Sequence, residues 1–505
     1  MAVVLALLVW HPVAHAASFL VTNTNDTGAG SLRNAITNAN GAQGTNTIVI
    51  SATGTLALAS PLPPVSFMTT ITGPGAGQLT IQGSSGPSPV ISTNGTVQLS
   101  GVTIKGGANN GGNGGGIIVM TGSLVLLDCT ITGNAASTGS GIYSTGTLTI
   151  RRSTISGNTG TGVVYGAGDT TVLDSTIADN QGTAIVFPTA GKTLMMMRST
   201  ISGNTDASGI GGLQLDGGTA DISNSTFSGN SGAQGGDFWT SSDGVTLSLI
   251  NVTAAGGSAP ALLFNHTATI MLRNTLFAGT GVRCSGGGLP TSQGHNLSID
   301  ATCNLTAATD KPGVDPKLGP LAANGGATKT HALMAGSPAL NSGDTSPDTV
   351  DQRGLARVQF GVVDIGAVEV TEPIVATQPV AQTVDEGNPF TLTVAAMNQN
   401  STTPLSYQWR KDGAAIAGAT SDTFTRPAAV VTDAGMYDVL VINDGGGLPS
   451  MPVAVTVTPA VKGDATPEGG GGGGCCSSTR DDPWSGVVLG LVLAAFLGVP
   501  RRRAR

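Results

Sequence analysis

The sequence predicts an all-β protein whose main body is a parallel β-helix. Three observations carry that expectation. Glycine supplies 76 of 505 residues, against a usual share of about 7 %, and charged residues make up only 10 %, rather than about 25 %. An S-T-I-S-G-N element recurs between about residues 97 and 280. Apolar residues in and around it alternate with a period of two, and no helical period survives.

The clearest copies are LVLLDCTITGN (124–134), LTIRRSTISGN (148–158), TTVLDSTIADN (170–180), LMMMRSTISGN (194–204) and ADISNSTFSGN (220–230). The residue before each central Thr falls at 102, 129, 153, 175, 199, 225, 252 and 274, giving steps of 27, 24, 22, 24, 26, 27 and 22. Variable steps around a fixed core belong to a solenoid whose insertions sit in loops. The L-x-x-L-x-L frame of a leucine-rich repeat is absent. Each unit also carries an upstream strand-like piece, such as GSGIYSTG or GTGVVYGAG.

Coils stacked about 4.8 Å apart bring equivalent residues into columns. Leu126, Ile150, Val172, Met196, Ile222 and Leu249 form one expected inward column, and Ile131, Ile155, Ile177, Ile201 and Phe227 another. Between them lies an expected turn column of Gly101, Asp128, Arg152, Asp174, Arg198, Asn224, Asn251 and Arg273. Gly, Asn and Asp tolerate a left-handed corner. Arginine has no such preference, so its alternation with Asp points to a stacked charge ladder. Asn134, Asn158, Asn180, Asn204 and Asn230 line up as a second ladder, of side-chain amides. A short helix over 31–40, with Leu32, Ala35, Ile36 and Ala39 at helical spacing behind a serine N-cap, is expected to plug the first coil.

Composition excludes several classes. Net charge is −8 and pI about 5.0, so a nucleic-acid partner is not expected. The apolar fraction of 39 % argues against a disordered chain. Residues 2–10 are an apolar run followed by Ala14-His15-Ala16, read as a signal peptide over 1–16 with no basic residue before the run. Of five cysteines, Cys284 and Cys303 enclose a Gly-rich loop and can pair in an oxidising compartment, and Cys129 reads as a small core residue.

Several segments resemble known families. SFLVTNTNDTGAGSLRNAI (18–36) and ITGPGAGQLTIQG (71–83) are similar to the N-terminal part of bacterial CSLREA-type surface proteins, although Gly30-Ser31-Leu32-Arg33-Asn34-Ala35 departs from the eponymous motif. That resemblance implies a right-handed β-helix of the pectin-lyase-like class over 17–313. VDPKLGPLAANGGATKTHAL (314–333), GSPALNSG (336–343), DQRG (351–354) and DIGAVE (364–369) resemble the choice-of-anchor Q domain, implying closure of the C-terminal end by 314–370. Residues 374–458 resemble a bacterial Ig-like domain: Trp409 fits its strand-C tryptophan and Tyr437 its tyrosine corner, with Val394 and Val439 where a disulfide would stand. Residues 459–483 form a Gly-rich linker with Cys475 and Cys476. Residues 484–505 join an apolar stretch to a basic tail. Together they resemble a MYXO-CTERM sorting tail, which implies a sorting peptidase as partner, processing at Cys475 and Cys476, and membrane contact through 484–499 before processing. A simple single-span anchor is the alternative.

Chemistry is sparse. A hydrolase needs carboxylates roughly 5–9.5 Å apart. Asp128 and Asp174 share a column two rungs apart, near 9.6 Å by stacking, and are the weak catalytic candidates, but Arg152 falls between them. Asp169, Asp216, Asp221 and Asp237 fall among loops, and His266, His295 and His331 are isolated. Asp310, Asp315, Asp344 and Asp348 are loop candidates for calcium. No cofactor is implied. The expected role is non-enzymatic display, with an extracellular polysaccharide or another cell surface as partner. A polysaccharide lyase or hydrolase, and a structural coat protein, stand as alternatives.

Overall fold

The computed structural model describes residues 16–460, apart from 265–266, 288, 335, 346–347, 358–362, 371–372, 399–403 and 444–445. The signal segment before residue 16, His266, Cys475, Cys476 and the apolar tail lie outside the described residues.

Parallel pairing runs without interruption through the main body. One ladder starts at Ala17–Val21, passes through Ser123–Leu127, Thr147–Arg151 and Thr170–Leu173, and ends at Thr291–Ser292. A second, beside it in the same 22-stranded sheet, passes through Thr130–Thr132, Thr154–Ser156 and Thr176–Ala178. A nine-stranded sheet forms another face, from Ile91–Thr93 to Cys284–Gly286. Short parallel pairings at Ala108–Asn113, Ala135–Thr138 and Thr159–Thr161 make the third. Like residues therefore stack on like. Leu126 pairs with Ile150, Ile150 with Val172 and Val172 with Met196, all with no exposed surface. On the outside of the nine-stranded sheet Tyr143 and Tyr165 stack with centroids 4.8 Å apart.

Two corners make the coil close. The first is left-handed at Gly101, Asp128, Arg152, Asp174, Arg198, Asn224 and Asn251, with φ between 44° and 65°. In the last copy this corner falls on Asn274 (φ 49°), not on Arg273. Ile250 pairs with Arg273 and Thr253 with Leu276, so the unit is read one residue early if its Thr is used as the marker. Arg273 ends a strand and reaches out to Asp344 at 2.7 Å. The second corner holds Gly106, Gly133, Gly157, Gly203, Gly229 and Gly256, with Asp179 (φ 54°) where the others have glycine.

Directly after the second corner, the asparagines form a buried chain. Asn134 Nδ2 donates to Asn158 Oδ1 (3.0 Å), Asn158 to Asn180 (3.0 Å), Asn180 to Asn204 (2.8 Å) and Asn204 to Asn230 (3.0 Å). Each Oδ1 also accepts the backbone N–H of the preceding asparagine, and each amide caps a backbone carbonyl of the preceding rung. A helix at Leu32–Ala42 closes the first coil. Ser31 Oγ accepts from Asn34 N at 3.2 Å, and Leu32, Ala35, Ile36 and Ala39 are buried. At the other end Cys284 and Cys303 are disulfide-bonded.

Residues 314–370 lie along the flank of the last coils, where the motif match alone implied a plug on the end. Thr328 Oγ1 donates to Arg198 O, Gln352 bridges Thr200 and Thr226, and Ala367 N donates to Thr253 Oγ1. The reason is a change in the coil's outer face. Thr and Ser give way to Ala255, Leu276 and Leu297, which Leu333, Ala339, Ile365 and Val370 cover.

Residues 374–457 form a separate β-sandwich with its own core. Ser406–Lys411 pairs antiparallel with Gly435–Asn443, which also pairs with Val453–Thr458. Trp409 is wholly buried, with Nε1 donating to Ser421 O at 2.9 Å, and Tyr437 Oη donates to Asp433 O at 2.8 Å. Val394 and Val439 are both buried in that core.

Replacing Asn180 with alanine removes two accepted and two donated hydrogen bonds from a buried site. The expected cost is about 3 kcal/mol, since each stranded buried partner costs roughly 1–3 kcal/mol, seen as a lower urea midpoint.

Candidate functional site

The corner column places Asp128 and Asp174 on the outside of the coil. Asp128 is bound by Arg152 through Nε and Nη2, both at 2.8 Å. Asp174 is bound by Arg198 in the same two-toothed way, at 2.7 and 3.1 Å. The hydrogen bond from Arg152 holds the Asp128 carboxyl below its ordinary range. A glycosidase acid needs the opposite shift. The column thus resolves into two Asp–Arg pairs and leaves no carboxylate free for a reaction. Asn224 and Asn251 continue it beneath the flanking segment, where Arg357 Nε donates to Asn224 Oδ1 and Asn251 Nδ2 to Asp348.

The other sequence candidates, Asp221 apart, are also occupied. Asp169 accepts from Thr193 N and pairs with Lys192. Asp216 accepts from Gln214 and Ser241. Asp221 lies on a strand, Thr219–Ser228, and not in a loop, paired in register between Met195 and Ser248 in the first ladder. His331 is buried between Ser228 (2.9 Å) and Gly319 O (2.7 Å), and burial lowers its pKa. His295 Nδ1 lies 2.9 Å from Ser342 O. Asp310 binds Ser292 and Asn296. Asp315 caps Lys317 N and Asp344 pairs with Arg273. Among the described residues no three His, Cys, Asp or Glu side chains gather closely enough to hold a metal. Burial raises the Cys129 thiol to about 11, which leaves it inert.

Asp237 is the exception in kind. It is not in an open loop but fully buried, and Asn230 Nδ2, the end of the asparagine chain, donates to its Oδ1 at 3.0 Å. Gly257 takes the next place in the column, and a Cβ there would stand 3.4 Å from that same oxygen. Its other oxygen has no partner among the described residues. Burial pushes the carboxyl up to about 7.

Two hollows stand out on the described surface. One of about 680 Å³ on the third face is floored by Thr159, Thr161, Gln181 and Ser231. Its carboxylate, Asp206, is already saturated by Thr183, Ser208 and Gly209. The other, about 580 Å³, lies where the flanking segment meets the second ladder. Thr154, Thr176, Ser156 and Asp179 form its floor, and Leu321 and Lys329 its wall. Neither Asp179 nor Lys329 has an ion-pair partner among the described residues. The sequence carries a signal for Asp179 that the repeat pattern hides. STIADN stands where the other strong copies have a glycine, as in STISGN.

The family described as a right handed beta helix region matches residues 87–254, and the immunoglobulin domain family matches 372–457. The protein is a right-handed parallel β-helix carrying an immunoglobulin-like domain. An 84-residue stretch, 16 % of this chain, is 40 % identical to the decoration protein of Escherichia phage T5 and spans half of that protein's length. Solved structures with similarity include Sidekick-1 immunoglobulin domains 1–4, 27 % identical over 17 % of this chain and 22 % of that one, with a TM-score of 0.16. A chimeric titin Z1Z2 is 21 % identical over 18 % of this chain and all of that one, with the same TM-score of 0.16.

Asp237 gives a pH prediction. A carboxyl raised from 3.8 to about 7 favours the fold fully below pH 3.8, and that contribution is lost as pH rises to about 7. Measured against Asp237→Asn by urea denaturation, the wild type is therefore expected to lose relative stability from about pH 4 to about pH 7 and to level off above.

Proposed function

We propose that the chain works by contact at a surface rather than by turnover. In this reading it is exported, carried outside the inner membrane by the segment at 1–16, and held there by the C-terminal segment until a sorting peptidase acts at Cys475 and Cys476. The immunoglobulin-like domain serves as a stalk and the β-helix as the presented face, with polysaccharide or another surface as the counterpart. The strap at 314–370 is taken as a choice-of-anchor Q type of segment. The phage relative, whose name is that of a decoration protein, supports a surface role.

One observation carries the non-enzymatic part. Among the described residues, the carboxylates that share a column on the open coils, Asp128 and Asp174, are each clamped by an arginine. An acid tied in this way lacks the free oxygen that glycoside cleavage asks of a proton donor, and the Asp128 carboxyl is held below its ordinary range where a donor needs it raised.

Incubation of the full chain with a polysaccharide panel is expected to release no reducing ends and no unsaturated uronides. Robust turnover that disappears in Asp174→Asn would reverse the reading in favour of a lyase or hydrolase. Mass spectrometry of the mature protein from its native host is expected to find the C-terminus shortened to the neighbourhood of Cys475. A terminus intact through Arg505 would remove the sorting step.

A further inference from the structure

The second ladder offers a row of outward threonines, one per coil. Thr200 and Thr226 lie under the flanking segment. Thr200 Oγ1 donates to Lys329 O at 2.6 Å, and Thr226 Oγ1 donates to Gln352 Oε1 at 2.6 Å. Gln352 Nε2 reaches back to Thr200 Oγ1 at 2.9 Å. This face therefore already holds one extended segment through its hydroxyls. Thr130, Thr154 and Thr176 continue the same row on the preceding coils, in register. Their hydroxyls have no hydrogen-bond partner among the described residues.

Asp179 lies where the covered and open stretches meet. It occupies a left-handed corner that its neighbours Gly133, Gly157, Gly203 and Gly229 fill without a side chain. Its carboxylate leans over the next coil: a Cβ on Gly203 would come within 2.5 Å of Asp179 Oδ1. The repeat thus gives up a residue suited to this backbone for a carboxylate that no group of the described chain uses. Such a departure is what a ligand-facing position looks like.

We propose that this open stretch, from Thr130 to Asp179 and the Lys329 wall, is the contact site and takes a neutral polysaccharide chain lying along the solenoid axis. The inference rests on the contact reading above. The rungs advance about 4.8 Å each, close to the advance of one sugar residue in an extended chain, so successive residues meet equivalent threonines. The threonines serve sugar oxygens as donors and acceptors, and the Asp179 carboxylate accepts from a pair of hydroxyls. A polyuronate would bring its own carboxylates against Asp179 on the floor, with the single Lys329 on the wall to offset them, so neutral chains are favoured.

The test uses the full chain and affinity electrophoresis or calorimetry with laminarin, xylan and galactomannan, and polygalacturonate as the acidic comparison. The wild type is expected to bind at least one neutral polymer at least tenfold more tightly than polygalacturonate. Asp179→Gly, which restores the residue of the neighbouring coils, is expected to weaken that binding at least tenfold while the melting temperature holds or rises. Thr176→Val is expected to weaken it several-fold. Binding unchanged in both variants overturns the site and leaves the contact reading standing, and so does tighter binding of polygalacturonate. No binding to any polymer overturns this inference together with the glycan part of that reading.

Discussion

Like-on-like stacking is the constraint on which the rest depends. Once coils repeat at the strand spacing, each residue's nearest neighbour is its own counterpart one turn away, and only residues that tolerate themselves can fill a column. Branched and unbranched aliphatics do so inside. At the corners the backbone must turn left-handed, which costs an ordinary side chain about 1–2 kcal/mol per residue. Glycine escapes the cost, and Asn and Asp reduce it. The asparagine chain goes further, because each amide both satisfies its own turn and binds its neighbour. Such a chain has a direction. Its acceptor end takes Gly107 N, and its donor end needs a final acceptor. Asp237 supplies one from outside the repeat, in the space Gly257 leaves.

Arginine at a left-handed corner is harder to justify by contacts alone. Arg152 and Asp128 are about half exposed, and solvent screens an exposed pair of this kind until it contributes little. That does not recover the strain at both residues. The corner holds because the inward columns on either side are fully buried, at roughly 1.5–3 kcal/mol for each aliphatic side chain. The pairing then decides which charges stand next to each other, avoiding like charges on adjacent coils.

The flanking segment obeys different physics, and this is why it is the least legible part of the sequence. The coil is readable because its phase and its period-two pattern agree over many copies, so errors in one copy are corrected by the others. The misplacement of Arg273 shows the limit: that copy has Thr275-Leu276 where others have Ser-Thr, so its Thr stands one place early and strand pairing reveals the slip. The segment 314–370 makes each contact once, with partners more than a hundred residues away, such as Gln352 with Thr200. Its interior is also ionic. Arg353 and Arg357 are buried with Asp351, Asp364 and Glu369. Burial raises both Asp364 and Glu369, Glu369 the further, so the acid that keeps its proton leaves two carboxylates against two guanidiniums. No periodicity announces such a balance.

The site is hidden for the opposite reason. A repeat teaches the eye to average, and averaging turns STIADN into STISGN. Averaging identifies the residues that build the coil, because those are the ones every copy needs. A residue needed in one place only must appear as a departure, and most departures have structural explanations. Asp237 ends a ladder, Asp206 caps a turn, and Asp128 answers an arginine. Each carries its explanation as bonds to named neighbours. What separates Asp179 is that its departure costs backbone strain and returns no bond within the described chain. In a solenoid that difference, between an irregularity the fold uses and one it merely tolerates, is the physical ground for looking outward from the chain to what it touches.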